Sequence, residues 1–387
     1  MEFDTIYDFA NWCSDNKTGN FTETVNIHGE ELTFDVYIVN QVRFVSQEQI
    51  NNFFELCTQN DANTQLVISK QILISKGLIF TPPYRCRGLI LFVDTLINIG
   101  TISMTARGAV GNGNNLYLCK IDDVYQIVPK DGAAGSAYYS MYTRSWNING
   151  NAGSNGTGRQ TGGGSSGGIA HNETSSTAWY YGGGKGTSYS GGAGCGGVCY
   201  TGPWTVFRYY THNSPNPGTG AGTNGYALSS GWNNYTSAAG GAGNPGGKGS
   251  VAGAGADPNN PALKGKDGTG GLLIIYTNHI ISYGNYSSEG SKGGDAMASG
   301  GGSGGGSINI FYTEELSNKN KFSVVGGAGG TGSHAKGAKG GNGTVSKDVI
   351  PEIENKFFSE TLKLNSDIYK NIYMNEVLFD VNQFFGE

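Results

Sequence analysis

Glycosidic cleavage needs only two carboxylates at a suitable separation, and Asp94, Asp122, Asp123, Glu289 and Asp295 are available for it. Asp122-Asp123 lies between Leu116-Tyr-Leu-Cys-Lys-Ile and Val124-Tyr-Gln-Ile-Val, where acidic residues make a hairpin turn. No spacing sets two carboxylates across one cleft. The histidines, at positions 28, 171, 212, 279 and 334, form no HxH or HExxH pattern, so neither a metal hydrolase nor a Ser/His site is indicated. Lys185, Lys248 and Lys266 each follow glycine. The next residues are Gly186, Gly249 and Asp267 rather than Ser or Thr, which excludes a P-loop. Gly220, Gly222 and Gly225 satisfy GxGxxG, but no strong strand leads into them, so no dinucleotide cofactor is expected. Cys195-Gly-Gly-Val-Cys199 is the one close cysteine pair. It reads as a local disulfide or two free thiols, since two ligands with His212 as the only close imidazole do not fill a zinc site.

The chemistry that is present belongs to recognition. Between Gly132 and Gly249 lies a stretch of Gly, Ser, Asn and Thr punctuated by large rings: Tyr138, Tyr139, Tyr142, Trp146, Trp179, Tyr180, Tyr181, Trp204, Tyr209, Tyr210, Trp232 and Tyr235. Tyr and Trp give large contact area at low conformational entropy, while Ser, Gly and Asn supply adaptable hydrogen bonds. Those twelve rings are the candidate receptor-binding residues. Tyr189, Tyr200, Phe207 and Tyr226 lie in the same stretch, and filling a core poor in Leu and Ile is the alternative use of such rings.

Composition narrows the class further. Of 387 residues 66 are glycine and only 14% are charged. Five glycines precede position 101 and one follows position 350, so a glycine-rich middle separates two conventional ends. A formal charge of −5 gives no footprint for nucleic acid or an anionic membrane. Apolar runs such as Leu89 to Val93 and Leu272 to Ile275 fall far short of a membrane span. The start, Met-Glu-Phe-Asp-Thr, carries acid where a secretory signal carries base, so no signal peptide is expected. The remaining cysteines, Cys13, Cys57, Cys86 and Cys119, fall mostly in apolar surroundings, where a reduced thiol packs as a small hydrophobe.

The elements that must position the rings come from periodicity. Ile6, Phe9, Ala10 and Cys13 mark one face of a helix behind an Asp4 cap. Leu32, Phe34, Val36 and Ile38 alternate, and His28-Gly29-Glu30 turns Val25-Asn-Ile27 back on them as a hairpin. Ser46 and Gln49 make a capping box for a second helix that ends near Asn60. A phrase of two short strands beside glycine then recurs from Gly88, Gly271 and Gly306, the last two 35 residues apart. Strands this short must stack on neighbouring units to bury a face. Runs such as Ser299 to Gly306 read either as linkers or as extended three-residue-per-turn helices packed through their backbones, and their fixed phase beside strong strands favours ordered packing.

The expected fold is mainly β: a glycine-rich repetitive β-solenoid or layered β architecture with polyglycine-type helices, preceded by a small α+β domain. The divisions are residues 1–75 for that α+β attachment domain, 76–131 for a first repeat region and 132–249 for the aromatic insert. Glycine-rich β repeats fill 250–350, and 351–387 form a C-terminal docking or assembly segment.

At Asn98-Ile-Gly-Thr-Ile-Ser-Met-Thr-Ala-Arg-Gly-Ala, at Asn115-Leu-Tyr-Leu-Cys-Lys and at Gly304-Gly-Gly-Ser-Ile-Asn-Ile-Phe-Tyr, the chain resembles glycine-rich tail-fibre and receptor-binding proteins of tailed bacteriophages and phage-tail-like particles. The resemblance covers roughly residues 76 to 350. It implies a non-enzymatic virion protein at a tail tip or baseplate, assembled in the host cytoplasm and released by lysis. Its partners would be other tail or baseplate proteins and a bacterial surface glycan or surface-layer protein. Fibres of this resemblance are usually trimeric, although no heptad or trimerisation motif is present. A structural virion protein without receptor binding, and a surface-polysaccharide depolymerase, are the alternatives.

Overall fold

The computed structural model of the chain describes residues 1–57, 60–136, 139–141, 149–163, 169–170, 178–180, 182–201, 222–229, 236–238, 240–251, 260–333 and 335–359. The chain opens with β1 (Glu2–Phe3), α1 (Ile6–Asn16), β2 (Gly19–Ile27), β3 (Glu30–Phe44), α2 (Gln47–Phe54) and β4 (Thr64–Ile74). Helix α1 starts at Thr5, not Asp4: the Thr5 hydroxyl accepts from Asp8 N–H and the Asp8 carboxylate accepts from Thr5 N–H. Asp4 is engaged elsewhere, by Lys120, Tyr125 and His28. The β2–β3 hairpin turns through His28 and Gly29, both at positive φ, the pair that matches strand twist in a two-residue turn. Ser46 caps α2, but the Gln49 side chain reaches back to Val45 N–H, and the helix stops at Phe54 once Phe53 and Phe54 have buried against Tyr37.

Next come β5 (Ile79–Phe80), β6 (Gly88–Asn98), β7 (Thr101–Ser103) and the hairpin β8 (Leu116–Ile121) to β9 (Val124–Val128), whose turn holds Asp122 and Asp123 at positive φ. Seven short strands of the aromatic stretch follow, β10 to β16, with bounds given below. The last elements are β17 (Leu272–Ser282), β18 (Asn285–Ser287), β19 (Ser307–Asn318), β20 (Lys321–Ser323), β21 (Thr344–Val349) and α3 (Lys356–Ser359).

The fold is mainly β and is built on a curled mixed sheet of eight strands in the order β1-β2-β3-β4-β6-β17-β19-β21, in which β3 through β21 run parallel. The strands that open the three repeated phrases, β6, β17 and β19, are therefore lateral neighbours. Their register sets Leu273 against Leu89 and Ile308. A smaller parallel sheet, β20-β18-β7-β5, takes the short strand that follows each long one. Side chains alternate across the large sheet. Phe34, Val36, Leu66, Ile68, Ile90, Phe92, Tyr276 and Phe311 face α1, the β8–β9 hairpin and residues 350–358. Tyr37, Val67, Leu89, Leu91, Leu273, Ile275, Ile308 and Ile310 face α2 and the small sheet.

The curl has a sequence-specific seam. The ladder is interrupted at Asn40, Lys70, Asp94, Asn278 and Thr313, which sit at one level in five adjacent strands with the register kept on both sides. Polar side chains there bond one another: Asn278 donates to Asp94 at 2.9 Å and Thr313 to Asn278 at 3.3 Å. On the far edge Arg159 ties residues 149–163 to the sheet, reaching Asn309 at 2.9 Å, Gln126 at 3.0 Å and Asp348 at 2.6 Å over the Phe311 ring. Cys13, Cys86 and Cys119 are buried among apolar neighbours, and burial pushes each thiol up to about 12.

Candidate functional site

Glycine segments connect the short strands back to the long ones. From β18 the chain runs out through 288–296 and returns through 299–306 into β19; from β20 it runs out through 324–332 and returns through 335–343 into β21. Hydrogen bonds along 299–306 recur every third residue. Ser299, Gly302 and Gly305 donate to the carbonyls of Ala335, Ala338 and Gly341. Gly300, Ser303 and Gly306 donate to Gly294, Ser291 and Ser288, and Gly301 and Gly304 to Cys195 and Gly192, all at 2.7 to 3.1 Å. Both partners advance by three, so three neighbouring segments each meet one edge of this one. Glycine is required because the backbones touch: a Cβ on Gly300, Gly302 or Gly304 would land on the carbonyl oxygen of Gly240, Gly327 or Gly163.

Asparagines complete the layer. The side chains of Asn149, Asn155, Asn224 and Asn342 accept the backbone N–H of Lys336, Asn342, Lys248 and Gly326, at 2.8 to 3.1 Å. At the outer turns Asp295 accepts from Thr331 N–H at 2.7 Å and from Lys292 at 2.8 Å, which together outweigh its partial burial and hold its carboxyl below the ordinary value.

The layer has an inner end at the sheets and an outer end away from them. A Cβ on Gly191 would meet Gly304, one on Gly194 would meet Gly301, and one on Gly197 would meet Ala298 at the outer turn. Residues 191 to 197 thus climb from the sheet to the outer turn, and β13 (Val198–Thr201) begins beyond it. It pairs in parallel with β11 (Ile169–Ala170) and β14 (Tyr226–Ser229). Beside this three-stranded sheet lie two antiparallel pairs, β10 (Tyr139–Met141) with β12 (Ala178–Tyr180) and β15 (Thr236–Ala238) with β16 (Ser250–Val251).

This assembly receives part of the aromatic set. Tyr139 pairs with Tyr180 and Ser140 with Trp179, so three of the candidate residues belong to one two-stranded ribbon. Tyr138, Tyr142, Trp146, Tyr181, Trp204, Tyr209, Tyr210, Trp232 and Tyr235 lie outside the described residues. The boundaries 132–249 enclose more than outer strands, because residues 182–197 and 240–249 run inside the glycine layer. Tyr189, on one of those inner stretches, is 2% exposed, donates to Asn114 at 2.9 Å and carries the Arg87 guanidinium over its ring. It is a core residue. Cys195 is buried in the layer, its thiol directed at the Gly196 carbonyl at 3.5 Å, while the side chain of Cys199 lies outside what is described.

The carboxylates are dispersed. Asp94 serves the bend, Asp122 and Asp123 the hairpin turn, and Asp295 an outer turn, while Glu289 accepts from Ser323 in the small sheet. Among the described residues no group of His, Cys, Asp and Glu is placed to hold a metal ion, and no helix is long and apolar enough to cross a membrane. Comparison with protein-family models, curated proteins and solved structures matched nothing.

Proposed function

We propose that this chain is a tail-fibre or receptor-binding protein of a tailed bacteriophage or phage-tail-like particle, and that it attaches the particle to the bacterial surface without cleaving it. The observation that carries the reading is the course of residues 191–201, which climb a backbone-bonded layer and put β13 beyond its outer turn. Trp179, Tyr180 and Tyr139 are carried on a neighbouring ribbon in the same assembly. A rigid body with aromatic-bearing strands at one end suits recognition, because binding residues belong on loops held by a stiff scaffold. Rings of Trp and Tyr stack on apolar sugar faces, and the Asn and Ser around them meet hydroxyls.

The scaffold in this reading is a stacked repeat of long strand, short strand and paired glycine segments, and the glycine segments are polyglycine-type helices. Support comes from the three-residue recurrence of donors along 299–306 and again at Gly150, Gly153 and Gly156, which donate to Lys336, Lys339 and Asn342. Stiffness then resides in backbone hydrogen bonds, and no large apolar core is needed at the outer end.

The experiment is binding of the fluorescently labelled chain to a panel of intact bacterial strains, beside a variant with Trp179, Tyr180 and Tyr181 all replaced by Ala. Strain-selective binding lost in a variant that melts like the parent supports the reading. Binding retained by the variant removes the assignment to these rings.

A further inference from the structure

The outward face of the small sheet forms a second concave surface, far in sequence from the aromatic strands. It is an open groove of about 910 Å³ floored by β7, β18 and β20 and walled on one side by α2. Ser103, Ser287 and Ser323 stand in register across those three strands. Solvent-facing strands ordinarily carry longer polar side chains, and this row of short ones is what makes the floor low. The floor is a linked chain of hydroxyls: Ser287 donates to Ser103 at 2.8 Å, Thr105 donates to Ser287 at 3.1 Å, and Ser323 donates to Glu289. Each hydroxyl has one proton and two lone pairs: Ser287, Thr105 and Ser323 retain acceptor capacity, while Ser103, which already accepts from the Ser287 hydroxyl and the Thr105 N–H, keeps its proton to donate.

Arg107 borders this floor. Its Nε donates to the Pro82 carbonyl at 2.7 Å and its Nη1 to the Ala106 carbonyl at 3.4 Å, which fixes the plane of the guanidinium. Among the described residues no carboxylate pairs with it, and burial lowers its pKa from the ordinary value. A fixed, partly desolvated cation without an acidic partner is complementary to an anionic ligand group.

The rest of the lining restricts what that ligand can be. Its charged groups are Arg107, Lys321 and Glu289, two cations against one carboxylate. A nucleic-acid backbone would call for a denser row of cations. One carboxylate also falls short of the pair that glycoside hydrolysis requires. A ligand that donates and accepts at every step, with sparse negative charge, is a chain of hydroxylated sugar rings bearing carboxylates. We propose that this groove binds an acidic polysaccharide without cleaving it, with Arg107 on a sugar carboxylate and the serine row and Glu289 on sugar hydroxyls. The proposal stands apart from attachment through the outer strands and does not depend on it.

The test is calorimetric titration of the full chain with a hyaluronan hexasaccharide, in which only every second ring bears a carboxylate, with maltohexaose as the neutral chain and a DNA hexamer as the polyanion. Saturable binding of the hyaluronan hexasaccharide at one site is expected, at least tenfold tighter than either comparison ligand. Ser287→Trp, which fills the floor, and the exposed Lys321→Gln should each weaken it while unfolding at the parent temperature, and Ser287→Trp should do so by tenfold or more. Absent binding, unchanged affinity in Ser287→Trp, or equal binding of DNA overturns the proposal, and equal binding of maltohexaose overturns the role of Arg107. Cell binding measured on the same variants should stay at the parent level, so failure here is distinguishable from failure of the attachment reading.

Discussion

Asn278 and Ile353 exchange two hydrogen bonds, the Asn278 amide donating to the Ile353 carbonyl at 3.1 Å and the Ile353 N–H donating to Asn278 Oδ1 at 2.7 Å. A side chain at the bend of β17 thereby stands in for a strand and holds the segment after β21. Ile350, Ile353 and Phe358 complete the apolar core below it, with the Phe358 ring stacked on Phe92.

Asn278→Leu should release this segment. The substitution leaves the Ile353 N–H and carbonyl unpartnered in a buried place, at a cost of about 1–3 kcal/mol for each group that water cannot reach. The expected result is a lower melting temperature and new protease cleavage within residues 350–359. Unchanged melting and cleavage would mean that the remaining contacts, the Phe358 packing and the Ile350 N–H on the Tyr312 carbonyl among them, hold the segment without Asn278.

Gly300→Ala tests whether the layer depends on backbone contact. Gly77, at φ +79° with open space around it, is the comparison: alanine there carries left-handed strain of about 1–2 kcal/mol and nothing else. At Gly300 the backbone angle is unremarkable, but the added methyl falls on the Gly240 carbonyl, so two segments must part. Gly300→Ala should therefore cost more than Gly77→Ala in denaturant unfolding. The reverse order would show that the layer yields easily.

The contrast between those glycines marks how far the sequence could be read. The repeated phrase after Gly88, Gly271 and Gly306 was legible because β-branched runs and glycine recur together, and the corresponding strands are neighbours in one sheet. The α1 face, both hairpin turns and the serine that caps the second helix were legible for the same reason: their signals are local. The continuity of β3 with β4 was not, since parallel pairing joins residues 30 apart with no turn to announce it. Nor was the placement of 182–197 inside the layer. A glycine run carries no side chain to name its partner, and Tyr189 looks like Tyr180 until its surroundings are known.

In the attachment reading, Tyr189 and Trp179 put the two uses of a ring to the test. Replacing Tyr189 by Ala removes a buried side chain and the partners of Asn114 and Arg87, and large-to-small changes of this kind cost about 3–5 kcal/mol. Tyr189→Ala should lower stability strongly, and any loss of cell binding should track the unfolded fraction. Trp179→Ala should lower binding at unchanged stability. Equal stability losses in both variants would place Trp179 in the core as well.

Asp4 supplies the pH dependence. Its hydrogen bonds with Lys120 and Tyr125, and then His28, outweigh the little desolvation it suffers and hold its carboxyl down at about 2, against an ordinary value near 3.8. The folded state therefore favours the charged form, and the unfolded chain takes up a proton first as pH falls. The contribution to stability is complete above about pH 4 and is lost as pH drops through the folded value near 2. Asp4→Asn should melt below the parent at pH 7, and the two curves should converge between pH 4 and 2. Because Asp4 and Lys120 are both exposed, the gap at pH 7 should also narrow in high salt. A gap that persists at pH 2 would assign the effect to the β1–α1 backbone, not to the carboxylate.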